Sequence, residues 1–334
     1  MEATNIQVRF FQHLKAQLPP HIAIVDEVAD LLGISNDSAY RRIRGEKPID
    51  LEETYKLCSH FKISMDQLLH LQSDAFIFSG ILQSAADNNN FEKWLENFHR
   101  QFEYVNSFEK KHLNYLMKDI PPFVHFQIPE LASFKFFFWM KSILHYENLK
   151  GVKFSFNDPR YENFHAVSKK IIRLYSQIPT TEIWNIESIN SSLRQIEFYR
   201  EAGSFTSVDD VRLLYDKTEE LINHIERQAE LGIKFNIGEK PAVNAAEYRL
   251  FVNELILGDN TVMAELNNTR ITFLNHSVLY FVGTRDERFN IAMFDNLENL
   301  KRKSTFISTI GEKERVAFFN RLRDKIHQYR VLLR

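Results

Sequence analysis

Two stretches near the middle of the chain carry the clearest helical periodicity. Ile186, Ile189, Leu193 and Ile196 recur at intervals of three, four and three, while Val211, Tyr215, Thr218, Ile222, Ile225 and Ala229 recur at four, three, four, three and four. Such spacing lines apolar side chains along one face of a helix. Ala202-Gly203-Ser204 separates the two stretches, and Ser207 with Asp210 three residues on offers a capping-box start for the second. The pattern predicts an antiparallel helical hairpin. Its stripe suits a dimerisation coiled coil or the inside of a bundle, and it is short for an independent zipper. Further helices are predicted over 91–104, 108–120, 129–146, 161–177 and 182–201, with Pro121-Pro122 and Pro179 as punctuation.

Beyond residue 240 the period shortens. Residues 248–257, 261–266, 269–274 and 278–282 are rich in β-branched and aromatic side chains, and Gly258-Asp259-Asn260, Asn267-Asn268 and Asn275-His276 lie between them. Those separators are turn chemistry, so an antiparallel meander is predicted. Helices over 287–303 and from 312 onward close this part, the second with a core face of Val316, Phe319, Leu322 and Ile326.

The N-terminal pattern is more specific. Val25 to Leu32 reads as a short amphipathic helix ended by Gly33, with the small Ala29 suited to a close helix crossing. Ile34 is an apolar plug, and Ser35 can cap a second helix over 36–44. In that helix Asp37, Tyr40, Arg41 and Arg44 stand at i, i+3, i+4 and i+7, whereas Ala39 and Ile43 fall on the opposite side. This is helix-turn-helix spacing. A helix so placed lies in the DNA major groove, where Arg pairs bidentately with guanine and Asn with adenine. The candidate contact set is Ser35, Asn36, Asp37, Tyr40, Arg41 and Arg44, with Lys47 in the following loop as a phosphate contact. The competing reading of these residues is a solvated helix face with no ligand.

These residues resemble the lambda-repressor-like, or Xre-family, DNA-binding domain. Beyond the Gly33-Ile34-Ser35 turn, the likeness includes Gly45 closing the recognition helix, a fourth helix opened by Pro48-Ile49-Asp50-Leu51-Glu52-Glu53, and a last turn and helix over 61–69. It covers about the first seventy residues. It implies five short helices and binding as a dimer to paired half-sites. One departure stands out: the family usually has a bulky apolar residue where Arg42 stands, and here the apolar side chain comes one position later, at Ile43. A shift of one residue turns the helix face by about 100°, so the division of labour among Arg41, Arg42 and Arg44 is left open.

Composition changes this picture in a few places. With 44% hydrophobic residues, nine prolines and ten glycines in 334 residues, the chain has material for two or three mainly helical domains. The formal net charge is −2, and residues 1–72 alone carry eight Lys and Arg against ten Asp and Glu, again −2. That argues against strong non-specific attraction to phosphates and leaves a local cluster of Arg41, Arg42, Arg44 and Lys47 at the expected groove face. A basic C-terminal run, Arg315, Arg321, Arg323, Lys325 and Arg330 after Lys301-Arg302-Lys303, reads as a second nucleic-acid surface or as the solvated side of an amphipathic helix. The single Cys58 excludes an internal disulfide. There is no HExxH, no zinc knuckle, no phosphate-binding glycine loop and no nucleophile elbow, so no cofactor, metal or catalytic residue is expected. No signal peptide and no run near the roughly 18 apolar residues that span a bilayer is present, which predicts a cytoplasmic protein away from membranes.

The sequence therefore predicts a mainly α protein: a five-helix DNA-binding domain over 1–72, a connector over 73–90, a helical bundle or dimerisation region over 91–240, and a small α+β unit with an antiparallel meander over 241–334. The expected function is a dimeric, sequence-specific transcriptional regulator of bacterial type, with operator DNA as partner and a small molecule or peptide as candidate effector of the C-terminal part. Two other classes stay open. One is an interaction adaptor whose helix-turn-helix does not read DNA, and the other is a DNA-binding domain joined to an unrecognised enzyme.

Overall fold

The computed structural model describes residues 5–18, 22–61, 63, 65, 76–80, 90–255 and 258–332. The chain divides into two compact units, Met1–Ile77 and Phe78–Arg334.

In the first unit, α1 (Ile6–Gln17), α2 (Ile24–Leu32), α3 (Asn36–Ile43) and α4 (Leu51–Phe61) surround a core of Phe10, Phe11, Leu14, Ile24, Val25, Val28, Ala29, Ala39 and Leu57. The turn between α2 and α3 forms as its letters predict. Gly33 takes φ 66°, its N–H reaches the Asp30 carbonyl at 3.3 Å, and the Ile34 N–H reaches the Ala29 carbonyl at 3.0 Å. These are the two bonds of a Schellman cap, which needs a left-handed residue at its centre. Ala29 is buried, as a close crossing requires. The last turn and helix expected over 61–69 lie largely outside the described residues, as does most of the connector expected over 73–90.

The second unit is built on one eight-stranded sheet, in the order β1-β7-β6-β5-β2-β3-β4-β8. Its strands are β1 (Ser79–Gly80), β2 (Lys111–Met117), β3 (Thr180–Trp184), β4 (Tyr248–Val252), β5 (Thr261–Leu266), β6 (Thr269–Asn275), β7 (Phe281–Thr284) and β8 (Thr305–Phe306). Between them run α5 (Asn90–Asn106), a 3-10 turn (Pro122–Gln127), α6 (Pro129–Phe138) continued by a π turn (Trp139–Ile143), α7 (Tyr161–Tyr175), α8 (Asn190–Glu201), α9 (Val208–Leu231), α10 (Glu287–Arg302) and α11 (Glu312–Val331). Strands β2, β3 and β4 are parallel, joined by crossovers that carry helices, while the remaining pairs are antiparallel. Alternate residues serve opposite faces. Ile183, Phe251 and Met263 pack with Phe294 and Leu297 of α10. Tyr115, Trp184, Leu250 and Ala264 join the larger core with α5 to α9 and α11.

Four sequence expectations change here. Residues 108–120, predicted as helix, hold β2 instead: Leu113, Tyr115 and Met117 alternate on one face, and the strand is central to the sheet. The helix predicted over 182–201 begins only at Asn190, because Thr180–Trp184 is a fully buried strand whose β-branched and aromatic residues favour extended backbone. The 248–257 segment does not join the meander; β4 runs parallel to β3. Consequently the stretch 91–240 is no separate bundle, since its two strands and the C-terminal strands form one sheet within one unit. The meander itself, β5-β6-β7, forms as expected, and Asn267 takes φ 51° in the two-residue β5–β6 turn.

The helix pair around residue 203 also forms. The Ser207/Asp210 capping box is present, and Gly232 ends α9 at φ 68°. The apolar stripe of α9 is spent inside the unit: Val211, Tyr215, Ile222, Ile225 and Ala229 are all 3% exposed or less. A coiled coil using that face with another chain is thereby excluded.

At the centre of the second unit sits a buried carboxylate. Glu182 accepts hydrogen bonds from the Tyr175 hydroxyl at 2.7 Å, the Trp184 indole at 2.8 Å and the Tyr248 hydroxyl at 2.9 Å. Burial, followed by the Glu182 charge, holds both phenols well above their ordinary pKa. Buried Lys234 donates to the carbonyls of Tyr175 and Ile178 at 2.7 and 3.1 Å. This network joins α7, β3, β4 and the segment after α9. Glu182→Ala leaves three buried donors without an acceptor, each costing about 1–3 kcal/mol, so a loss of at least about 3 kcal/mol in the urea unfolding of the second unit is expected. A loss below about 1 kcal/mol would show that the network is not central.

Candidate nucleic-acid interface

The outward face of α3 is assembled by local rules. Ser35 is the N-cap, its hydroxyl accepting the Ser38 N–H at 3.3 Å, which satisfies one of the open donors of the first turn. Ala39 points inward and is fully buried. Counting from Ala39, Asn36, Asp37, Tyr40, Arg41 and Arg44 are exposed, as is Lys47 in the loop that follows. The seven sequence-predicted contact residues thus lie on or beside one exposed surface of the first unit. Asn36 Nδ2 donates to Asp26 Oδ1 of α2 at 3.0 Å. The Arg44 guanidinium lies 5.7 Å from the centre of the Tyr40 ring and 3.9 Å from Glu46. Among the described residues the Arg41 guanidinium and the Lys47 ammonium have no hydrogen-bond or ion-pair partner.

Arg42 does something else. Its side chain is only 6% exposed, and it grips Glu53 of α4 with two parallel bonds, Nη2 to Oε1 at 2.6 Å and Nε to Oε2 at 2.9 Å. Nη1 also donates to the Ser38 carbonyl at 3.2 Å. Planar, bidentate pairing of this kind is what guanidinium does better than ammonium. The hydrogen bond to Glu53 raises the pKa of Arg42, and the same bond draws the Glu53 carboxyl below its ordinary value. Arg42 therefore occupies the inner position where an apolar residue was expected, and Ile43 packs beside it at the edge of the core. The open question among the three arginines is answered: Arg41 and Arg44 face out, and Arg42 faces in.

A second brace was missed in the sequence. Gln7 of α1 donates through Nε2 to the carbonyls of Arg42 and Lys47, each at 2.7 Å, and accepts the Ile49 N–H through Oε1 at 3.0 Å. One amide thus ties the end of α3 to the loop that presents Lys47. Gly45 lets the start of α1 approach: at φ 76°, a Cβ there would lie 2.6 Å from Asn5 Nδ2 and 3.1 Å from Val8 Cγ2. No motif marks Gln7. Its only signal is a polar side chain in the first turn of a helix whose later positions, Phe10, Phe11 and Leu14, are all core.

The basic residues of α11 do not form a comparable surface. Arg321 pairs with Glu254 at 3.0 Å, Arg323 with Glu226 at 2.6 Å, Lys325 with Glu187 at 2.9 Å and Arg330 with Glu219 at 2.6 Å. Arg315 is buried, donating to the Ile307 carbonyl at 2.9 Å. Cys58 is half-buried, and burial pushes its thiol pKa up, the opposite of what a reactive thiolate needs. Among the described residues, no helix is long and apolar enough to cross a membrane, and no group of three or more His, Cys, Asp and Glu is placed to hold a metal ion.

A capped helix behind a Schellman turn, carrying outward arginines and braced from behind by two neighbouring helices, has the geometry of a helix-turn-helix. Comparison with known families agrees and is more particular: residues 7–88 match the model of the BetR domain, a helix-turn-helix-type DNA-binding domain. The match runs past the first unit through β1 of the second. No curated protein and no solved structure matches the chain.

The Arg42–Glu53 pair gives a stability test. Removing one partner of a buried pair costs about 3–5 kcal/mol, and Glu53 is 17% exposed, so Arg42→Ala is expected to lose roughly 2–4 kcal/mol from the first unit. The double change Arg42→Met/Glu53→Leu should restore most of it, because an apolar pair leaves no stranded charge. The depressed carboxyl adds a pH signature: its contribution is full above the ordinary Glu value of about 4.3 and is lost as pH falls through the lowered folded-state value. Acid titration of the wild type should show this loss, and Arg42→Met/Glu53→Leu should not.

Proposed function

We propose that the chain is a sequence-specific transcriptional regulator of the lambda-repressor-like, Xre type, reading operator DNA through α3. The carrying observation is the sorting of the three arginines: two point outward from a capped helix in a stretch that matches a DNA-binding family, while the third anchors that helix. In this reading Arg41 and Arg44 reach base edges with Asn36 and Asp37 near the start of the helix, Ser35 and Tyr40 flank them, and Lys47 meets a phosphate. The protein acts in the cytoplasm as a homodimer, whose two recognition helices meet half-sites about one DNA turn apart. The second unit sets that separation and senses an effector; catalysis is not its role.

The charge balance supports selective over adhesive binding. Residues 1–72 carry eight basic against ten acidic side chains, so affinity rests on few phosphate contacts and a modest salt slope. The same balance favours a second reading, an adaptor that binds protein through this unit.

Selection of bound sequences from a random DNA pool at one salt concentration separates the two. A two-fold symmetric motif is expected from the full-length protein. Arg41→Ala and Arg44→Ala should each cost about 1–3 kcal/mol on that motif and relax preference at one base pair. Lys47→Ala should weaken all sequences alike and lower the salt slope by about one. No enriched motif from the folded protein would favour the adaptor.

A further inference from the structure

At one edge of the sheet in the second unit, α5 and the strands do not close on one another. The helix presents Trp94, Asn97, Phe98 and Gln101, at i, i+3, i+4 and i+7, towards a pocket of about 160 Å³. Opposite, Phe273, Gly283 and Ser79 stand in one row across β6, β7 and β1. The middle member of that row has no side chain, and the Phe273 ring lies across it: a Cβ on Gly283 would sit 2.8 Å from the ring. Gly80, next along the edge, is likewise without a side chain. Glycines within strands mark places where something approaches the backbone closely. Here the Phe273 ring takes the space beside Gly283, and the Val282 side chain and Phe281 carbonyl take the space beside Gly80.

The walls say what kind of molecule fits. Trp94 and Phe98, stacked on one another at 5.2 Å and 12°, make one wall aromatic, and Phe273 lies across Gly283 in the other. Asn97, Gln101 and Ser79 add neutral hydrogen-bonding groups, and none of the lining residues is charged. Tyr280, buried and lining the same pocket, has a hydroxyl with no hydrogen-bond partner among the described residues. The Trp94 indole is already engaged by the Leu279 carbonyl at 2.7 Å. No lining residue offers a counter-charge to a charged ligand, and a cavity near 150 Å³ holds one benzene-sized ring.

We propose that this pocket is a binding site for an uncharged, single-ring aromatic molecule bearing a hydrogen-bonding substituent, and that it is the effector site of the regulator. The second part rests on the DNA-binding reading. Ser79 and Gly80 are both wall of the pocket and the two residues of β1, the strand the chain enters just after the first unit ends at Ile77. Phe78 before them packs edge-on against Phe289 at 5.2 Å. A ring seated between α5 and β1 strengthens the β1–β7 pairing at the strand that directly follows the first unit in the chain.

The test uses the full-length chain with benzamide and phenol as neutral probes and benzoate and benzylammonium as charged ones, read by saturation-transfer NMR. At least one neutral probe should bind, with both charged probes at least about tenfold weaker, a difference of about 1.4 kcal/mol. Ser79→Phe and Asn97→Trp, which fill the pocket from its two sides, should each abolish the signal while circular dichroism stays unchanged. Hydrogen exchange in peptides carrying residues 78–80 should slow in the presence of the bound probe. Binding of neither neutral probe, equal binding of charged probes, or binding that survives both filled variants would overturn the site. Binding with unchanged exchange at 78–80 would overturn the effector role. None of these readouts involves DNA, so a sound pocket with no selected DNA motif would count against the regulator reading alone.

Discussion

The bidentate pair between Arg42 and Glu53 is the constraint on which the interface depends. An α-helix of eight residues has little stability of its own, and α3 has only Ala39 as fully buried apolar anchor. Pairing to α4 supplies the second anchor. Because side chains one residue apart differ by about 100° in direction, placing Arg42 inside determines that Arg41 and Arg44 stand outside. The same pair sets the tilt of α3 against α4, and Gln7 then couples its end to the Lys47 loop. The geometry of the exposed face is thus set by groups that never reach it.

An analogous economy holds in the second unit. Its basic C-terminal helix suggests a charged surface, but Arg321, Arg323, Lys325 and Arg330 are each matched to carboxylates on other segments. Individually such partly exposed pairs are weak. Their effect is to cancel the local field along this helix. The buried Glu182 network serves a different end. Three donors from three elements converge on one carboxylate, which specifies how α7, β3 and β4 meet, a role that apolar packing alone leaves less defined.

The N-terminal unit was largely legible because its signals are local. A glycine that must be left-handed, a serine cap and a 3.6-residue period act within a few positions of one another, and the structure places Gly33, Ser35 and Ala39 as those rules require. The capping box at Ser207 and the turn at Asn267 were legible for the same reason. What failed was non-local. Residues 111–117 and 180–184 form parallel strands whose partners are tens of residues away, and a strand buried on both faces loses the alternation that distinguishes it from a buried helix. In α11 the core face was misplaced by one residue at one point: Val316 is 43% exposed, and Phe318 and Arg315 are buried instead. Arg315 could enter because the Ile307 carbonyl receives it, a contact no helical period reports. Arg42 is the same lesson in the site itself, an arginine whose partner eleven residues on turns it from surface to core.

The most direct test follows the arginine side-chain Nε–H signals by NMR while the protein is titrated with a duplex carrying its selected motif. The expected result is that Arg41 and Arg44 shift and broaden as they meet the bases, whereas Arg42 keeps its free-state position and its slow exchange with water because Glu53 still holds it. Movement of Arg42 with Arg41 or Arg44 unchanged would contradict the account, since it would mean that the helix turns its other face to DNA.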